Sequence, residues 1–171
     1  MRTHRTTAPH RLGAAAAVLT AAGTLVLASP ADAHADRAAT TIRSIVTSGK
    51  CLEVADWRTD DGAPVRQWSC HGGANQQWIT TDHGEIVNVH SGKCLDIPNY
   101  SPTPGTQAVQ WTCNRGLNQA WHIHPRGWKP EFYVDNLFSQ LSLDLFGWGS
   151  ADGTPVGQWT PHGEGNQRWY L

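Results

Sequence analysis

An acid, a tryptophan and an asparagine recur three times along this chain at one spacing: Glu53, Trp68 and Asn75; Asp96, Trp111 and Asn118; Asp144, Trp159 and Asn166. Counted from Cys51, Cys94 and Ser142, they stand at +2, +17 and +24. Each tryptophan lies in Gly/Thr/Asn-rich sequence that reads as a loop edge, where an indole offers water a flat apolar face. Covering that face removes apolar area from solvent. A carboxylate accepts hydrogen bonds from two vicinal hydroxyls, and such charge-assisted bonds are the strong ones. A carboxamide donates and accepts in one plane. A pyranose ring answers to all three, with C–H groups on one face and hydroxyls around its edge. The spacing therefore predicts one shallow saccharide pocket per copy.

The elements that must position these groups are themselves repeated. Residues 51–78, 94–121 and 142–169 align without a gap, and seven columns are identical in all three. Besides the Trp and Asn columns these are Leu52/Leu95/Leu143, Gly62/Gly105/Gly153, Gln67/Gln110/Gln158, Gln76/Gln119/Gln167 and Trp78/Trp121/Trp169. An aromatic residue also recurs at Trp57/Tyr100/Trp148, so eight of the nine tryptophans fall in repeated columns. The leucines, the following Val54/Ile97/Leu145 and the last tryptophan column read as core, since large apolar side chains are mostly buried. The glycine column reads as a turn with positive φ. Trp57/Tyr100/Trp148 either extend a stacking platform or cover a loop. Copies begin 43 and 48 residues apart, and the extra five are expected around Pro125–Pro130. Alternating runs such as Glu85–His90, broken by Gly, Pro, Asn and Asp, predict short strands and tight turns, with no amphipathic helix after residue 35.

A formal net charge of −1 over 171 residues excludes a basic nucleic-acid surface as a whole-chain reading. Arg2, Arg5 and Arg11 precede an apolar run from Leu12 to Ser29, followed by small residues suited to cleavage after Ala33 or Ala35. Residues 1–35 thus read as a secretory signal peptide rather than a retained anchor. No later stretch approaches the 18 or so apolar residues of a membrane span. Cleavage leaves residues 36–171, a single domain of 136 residues. In an exported chain four cysteines favour disulfides. Three pairings are possible, and equal gaps of 19 residues favour Cys51–Cys70 with Cys94–Cys113. Structural zinc would use closer cysteine pairs.

Three repeats are too few to close a propeller and suit a small closed barrel with threefold pseudosymmetry. The Gly-Lys-Cys-Leu-Asp-Ile turn at 92–97, the Gln-Trp-x-Cys pairs and the Asn-Gln-x-Trp endings resemble the ricin B-chain type of lectin domain over about residues 40–171. The resemblance implies an all-β fold, a β-trefoil of about four strands per repeat, with repeats near 42–84, 85–131 and 132–171. Carried over by position, it implies carbohydrate contacts from Asp96, Trp111, Asn114 and Asn118, and from Asp144, Trp159, His162 and Asn166. Gln119 and Gln167 would hold the aspartates. The first repeat offers Glu53, Trp68, His71, Asn75 and Gln76. There glutamate replaces aspartate, and one methylene is enough to misplace a bidentate contact. In the third repeat Ser142 and Pro161 replace cysteines and Gln140-Leu141 replaces Gly-Lys, so a looser staple is expected.

Three other readings compete. A glycoside hydrolase needs two carboxylates with different roles about 5–9.5 Å apart, whereas one equivalent acid recurs per repeat. No serine sits in a Gly-x-Ser-x-Gly turn. A protein-binding or protease-inhibitor trefoil would use the loop at 122–131. His122-x-His124 places two imidazoles on one side of a strand without a third ligand nearby, which falls short of a metal site. Asp60-Asp61 reads as a solvated turn. The expectation is a secreted, monomeric, non-catalytic protein that binds a polysaccharide or glycan. It would use no cofactor or metal, bind no nucleic acid and not insert into membranes. The resemblance implies galactose-type or xylan-type ligands.

Overall fold

The structure is a computed structural model that describes residues 38–44, 46, 47 and 50–171. The signal peptide expected over residues 1–35 lies outside the described residues. Among the described residues twelve strands follow the repeats. The first contains β1 (Arg43–Ser44), β2 (Lys50–Val54), β3 (Val65–Ser69) and β4 (Trp78–Thr80). The second contains β5 (Ile86–Asn88), β6 (Cys94–Asp96), β7 (Val109–Trp111) and β8 (Trp121–Pro125). The third contains β9 (Phe132–Asn136), β10 (Ser142–Leu145), β11 (Val156–Trp159) and β12 (Trp169–Tyr170). Among the described residues there is no α-helix, only single turns of 3-10 helix.

Pairing is antiparallel and repeats with the sequence. The second and third strands of each copy form a hairpin, with Leu52 opposite Gln67, Leu95 opposite Gln110 and Leu143 opposite Gln158. The fourth strand pairs with the first strand of the next copy: β4 with β5, β8 with β9, and β12 back with β1. The all-β β-trefoil expected from the repeats is what forms. Its core contains the three columns that sequence assigned to it, joined by Ile42, Ala63, Val65, Ile86, Ala108, Val134 and Val156. Leu52, Leu95 and Leu143, Val54, Ile97 and Leu145, and Trp78, Trp121 and Trp169 are all buried in one cluster. Each of these indoles donates from Nε1 to the leucine carbonyl of its own repeat at 3.0–3.1 Å, so the ring is buried without an orphaned donor.

Consecutive copies interlock around the pseudo-axis. Gly62 N–H donates to the carbonyl of Gln110, Gly105 to Gln158, and Gly153 to Gln67. These glycines sit at φ of +83°, +87° and +87°, where a Cβ is strained. The glutamine column completes each link. Gln67 donates to the carbonyls of Gly149 and Ala151, Gln110 to Arg58 and Asp60, and Gln158 to Ser101 and Thr103. Their amide oxygens accept from Thr47, Ser91 and Ser139. Each glutamine is thus buried and satisfied while holding a loop of another repeat.

The cysteines pair Cys51–Cys70 and Cys94–Cys113. In the third repeat Ser142 Oγ instead donates to Asp135 Oδ1 at 2.6 Å. The five extra residues fall in the β8–β9 hairpin, where Trp121 faces Asn136, against Trp78 facing Asn88 in the shorter β4–β5 hairpin. Trp128, the ninth tryptophan, stands fully exposed in that hairpin's loop. The Asp60-Asp61 turn is exposed, as its sequence suggests, and Asp61 has a further task. Its carboxylate accepts from Thr112 N–H at 2.7 Å and pairs with Lys93 at 2.7 Å, tying the first repeat to the second. Asp152 does the same from the third repeat to the first, through Ser69 N–H and Lys50.

Candidate functional site

Each repeat carries a surface hollow built by one local design. The acid leaves the end of the second strand and lies beneath the surface: Glu53, Asp96 and Asp144 are 2–3% exposed. Asp96 Oδ2 accepts from Asn118 Nδ2 at 3.0 Å and Gln119 Nε2 at 2.8 Å. Asp144 Oδ2 accepts from Asn166 and Gln167, both at 3.0 Å. In both cases no donor among the described residues reaches Oδ1. Gln119 also donates to Thr112 O and accepts from Asn114 N–H. Gln167 does so with Thr160 O and His162 N–H. One glutamine thereby fixes the acid and the loop that carries the rim residue. Burial pushes the carboxyl pKa of both Asp96 and Asp144 above its ordinary value of 3.8, opposed by the amide donors and, at Asp144, by His162.

The tryptophan stands at the end of the third strand, one face backed by the glycine turn of the preceding repeat. A Cβ on Gly62 would lie 3.8 Å from Trp111, and one on Gly105 only 3.1 Å from Trp159. The glycine column is therefore both a turn and a seat for the neighbouring indole. Trp111 and Trp159 remain 42% and 44% exposed. The third aromatic column also lines the hollows. Asn99 and Tyr100 (φ 59° and 51°), Gly147 and Trp148 (61° and 57°), and Asp56 and Trp57 (both 55°) form pairs of left-handed residues. Bulky residues adopt that conformation only where the surroundings hold them there, and such strain collects at ligand sites. Tyr100 and Trp148 line the same hollows as the repeated tryptophan. Asn114 Oδ1 and His162 Nδ1 each accept a backbone N–H two residues ahead, at 2.8 and 3.2 Å. His162 Nε2 lies 3.5 Å from Asp144 Oδ2. The amide oxygens of Asn75, Asn118 and Asn166 are buried without a partner, the same orphan three times.

All the residues expected from sequence are thus brought together repeat by repeat, in hollows of about 380 Å3 (second), 300 Å3 (third) and 170 Å3 (first). The first differs through a residue that sequence reasoning passed over. Arg66 lies with its guanidinium 4.2 Å over the Trp68 ring and reaches Glu53 and Asp56. Its column reads Arg66/Val109/Gly157, so the singularity was present in the alignment but carried no meaning until Trp68 was placed beside it. Away from the hollows, His122 and His124 do share one side of their strand, rings 4.8 Å apart, and His124 Nε2 is 2.8 Å from Asp135. Among the described residues no group of three His, Cys, Asp or Glu side chains gathers as a metal site would require.

A threefold barrel with an aromatic-walled, acid-floored hollow in each repeat defines a lectin-type trefoil. A family profile described as the ricin-type β-trefoil lectin domain matches residues 38–169. The chain belongs to that family of carbohydrate-binding domains. Among solved structures it is similar to ThreeFoil, a designed 3-fold symmetric protein, at 36% identity and a TM-score of 0.74, over 77% of this chain and 95% of that one. It is also similar to 1,3Gal43A, an exo-β-1,3-galactanase from Clostridium thermocellum, at 33% identity and a TM-score of 0.74, over 78% of this chain but only 29% of that one. A ricin B-like lectin from Macrolepiota procera, in complex with lactose, matches at 26% identity and a TM-score of 0.66, over 78% of this chain and 93% of that one. A curated relative, a probable lipoprotein EnvE of Salmonella typhimurium, is 43% identical over 42 residues, which is 24% of either chain.

Proposed function

We propose that this protein is a secreted, non-catalytic lectin that binds galactose-type or xylan-type saccharides at two equivalent sites, the hollows of the second and third repeats. The observation that carries the reading is a half-exposed indole beside a buried carboxylate with one oxygen that no donor among the described residues reaches, twice over. The sugar's C–H face stacks on Trp111 or Trp159, backed from behind by a glycine turn. Its hydroxyls donate to Oδ1 of Asp96 or Asp144 and exchange hydrogen bonds with Asn118 or Asn166 and with Asn114 or His162. Tyr100 or Trp148 closes the other side. Gln119 and Gln167 act through the aspartates they hold. Each of these hollows is lined by one carboxylate, where hydrolysis requires two.

Shallow sites of this kind bind weakly, and a millimolar dissociation constant corresponds to about −4 kcal/mol. Two of them on one polysaccharide raise the apparent affinity by linkage. The relatives support a glycan ligand, since one was solved with lactose and another is a galactanase. Export fits the two disulfides and the lipoprotein relative. A glycan array identifies the sugar. Retention of Trp111→Ala/Trp159→Ala on the matching immobilised polysaccharide then tests the mechanism. Lost retention with an intact fold is expected, and unchanged retention refutes stacking.

A further inference from the structure

The threefold pseudosymmetry makes the second and third repeats internal controls for the first. In those two hollows the repeated tryptophan is half-exposed, and among the described residues no donor reaches the acid's Oδ1. In the first hollow both positions are filled by one side chain. The Arg66 guanidinium lies flat against Trp68, 4.2 Å from the ring centroid. Its Nε and Nη2 both reach Glu53 Oε1 at 3.1 Å. Glu53 Oε2 is meanwhile held by Gln76 Nε2 at 3.0 Å and Asn75 Nδ2 at 3.4 Å, as the amides hold Oδ2 of the aspartates elsewhere. Arg66 thus does what a sugar would do, stacking on the indole and donating to the acid's remaining oxygen.

Two further departures in this repeat serve the arginine. Asp56, where Asn99 and Gly147 stand in the other copies, accepts from Nη2 at 2.9 Å. Glu53, where the others have aspartate, carries its carboxylate one methylene further out, toward the guanidinium. The remaining volume is about 170 Å3 against 380 and 300 Å3. Val109 and Gly157, at the arginine's position, have no group that reaches an acid.

We propose that Arg66 is a built-in occupant of the first hollow, which closes it to saccharide and sets the binding stoichiometry of the protein at two. The proposal rests on the reading of the other two hollows as sugar sites. An intramolecular ligand acts at an effective concentration that free sugar at a millimolar site does not match. Anionic saccharides are no better suited, because Arg66 is already paired with two carboxylates.

Titration with lactose, and in a second arm with xylotetraose, tests this in the wild type and a nested set of variants by calorimetry and indole NMR. The wild type is expected to bind two equivalents, and Trp111→Ala/Trp159→Ala none. Adding Arg66→Val to that double variant, which gives the first repeat the side chain of the second, is expected to restore one equivalent. Adding Glu53→Asp as well corrects the carboxylate's reach and is expected to hold or raise that affinity. No regain with either addition overturns the proposal. So does a double variant that still binds one equivalent and loses it on Trp68→Ala, since the first hollow is then open with Arg66 in place. Failure of the underlying reading looks different: the double variant then binds as the wild type does.

Discussion

Replacing Asp144 by asparagine separates a binding role from a structural one. Asp144 Oδ2 accepts two amide hydrogen bonds at 3.0 Å, and the amide oxygen of an asparagine accepts the same two in the same place. The NH2 group then stands where Oδ1 stood, so the oxygen available to a sugar hydroxyl becomes a donor. Hydrogen bonds to charged groups are worth about 1.5–3 kcal/mol each. Losing one weakens the third hollow by about 10- to 150-fold, at roughly 1.4 kcal/mol per tenfold. From a millimolar start this abolishes measurable binding there. The fold responds in the opposite sense. Burial raises the Asp144 pKa, so the ionised form is disfavoured in the native state. Any stability associated with this group is present below its unfolded pKa and lost as pH rises through the folded value. At pH 7 an uncharged asparagine is therefore expected to leave the melting temperature unchanged or higher. Calorimetric titration with soluble oligosaccharide should show the stoichiometry fall by one, alongside an unaltered melt. Retained stoichiometry refutes the carboxylate's role in binding. A melt lowered by more than about 1 kcal/mol, the net worth of one ordinary hydrogen bond, shows that the charge holds the fold instead.

Acidification extends the same logic to the whole protein. Saccharide retention is expected to fade at a pH above 3.8 as the raised carboxyls of Asp96 and Asp144 protonate, while tryptophan fluorescence still reports a native core. The fold's own acid sensitivity comes later, because Asp61 and Asp152 have pKa values lowered first by Lys93 and Lys50, and their contribution is lost only as pH falls through those depressed values. Unfolding that precedes release of the sugar refutes this order. Gln119→Ala removes donors to Asp96 and Thr112 and the acceptor of Asn114 N–H, so it is expected to cost about 2–3 kcal/mol in denaturant melts and to silence the second hollow. Trp169→Ala, in the buried column, is expected to destabilise by about 3–5 kcal/mol, whereas Trp159→Ala should leave the melt nearly unchanged. Cys51→Ser/Cys70→Ser should cost about 3 kcal/mol by the loop-entropy argument, read as a lower denaturation midpoint.

Much of this was legible in the sequence because threefold repetition separates columns from accidents. The repeats and the family resemblance they carry pointed to the barrel, residue type to its leucine and tryptophan core, and equal gaps favoured the disulfide pairing that forms. Most of what escaped sequence reasoning, Arg66 excepted, involves partners in another repeat. The Gln67/Gln110/Gln158 column was visible, but its partners are backbone carbonyls of a neighbouring copy, which no residue type announces. Gly62 and Gly105 read as turns, and their second task of seating Trp111 and Trp159 appears only when the copies are packed together. Asp61 read correctly as an exposed turn, but its tie to the second repeat was out of view because Lys93 and Thr112 lie more than thirty residues away in the chain. Arg66 was passed over because its meaning depends on Trp68 and Glu53 at once.

The most direct test of the central claim follows the nine indole N–H resonances during titration with lactose or xylotetraose. Saturable shifts of Trp111 and Trp159, accompanied by Trp148 and by the ring of Tyr100, are what the account predicts, with Trp68, Trp78, Trp121 and Trp169 unmoved. Shifts confined to Trp128, or binding that leaves Trp111 and Trp159 undisturbed, would contradict it.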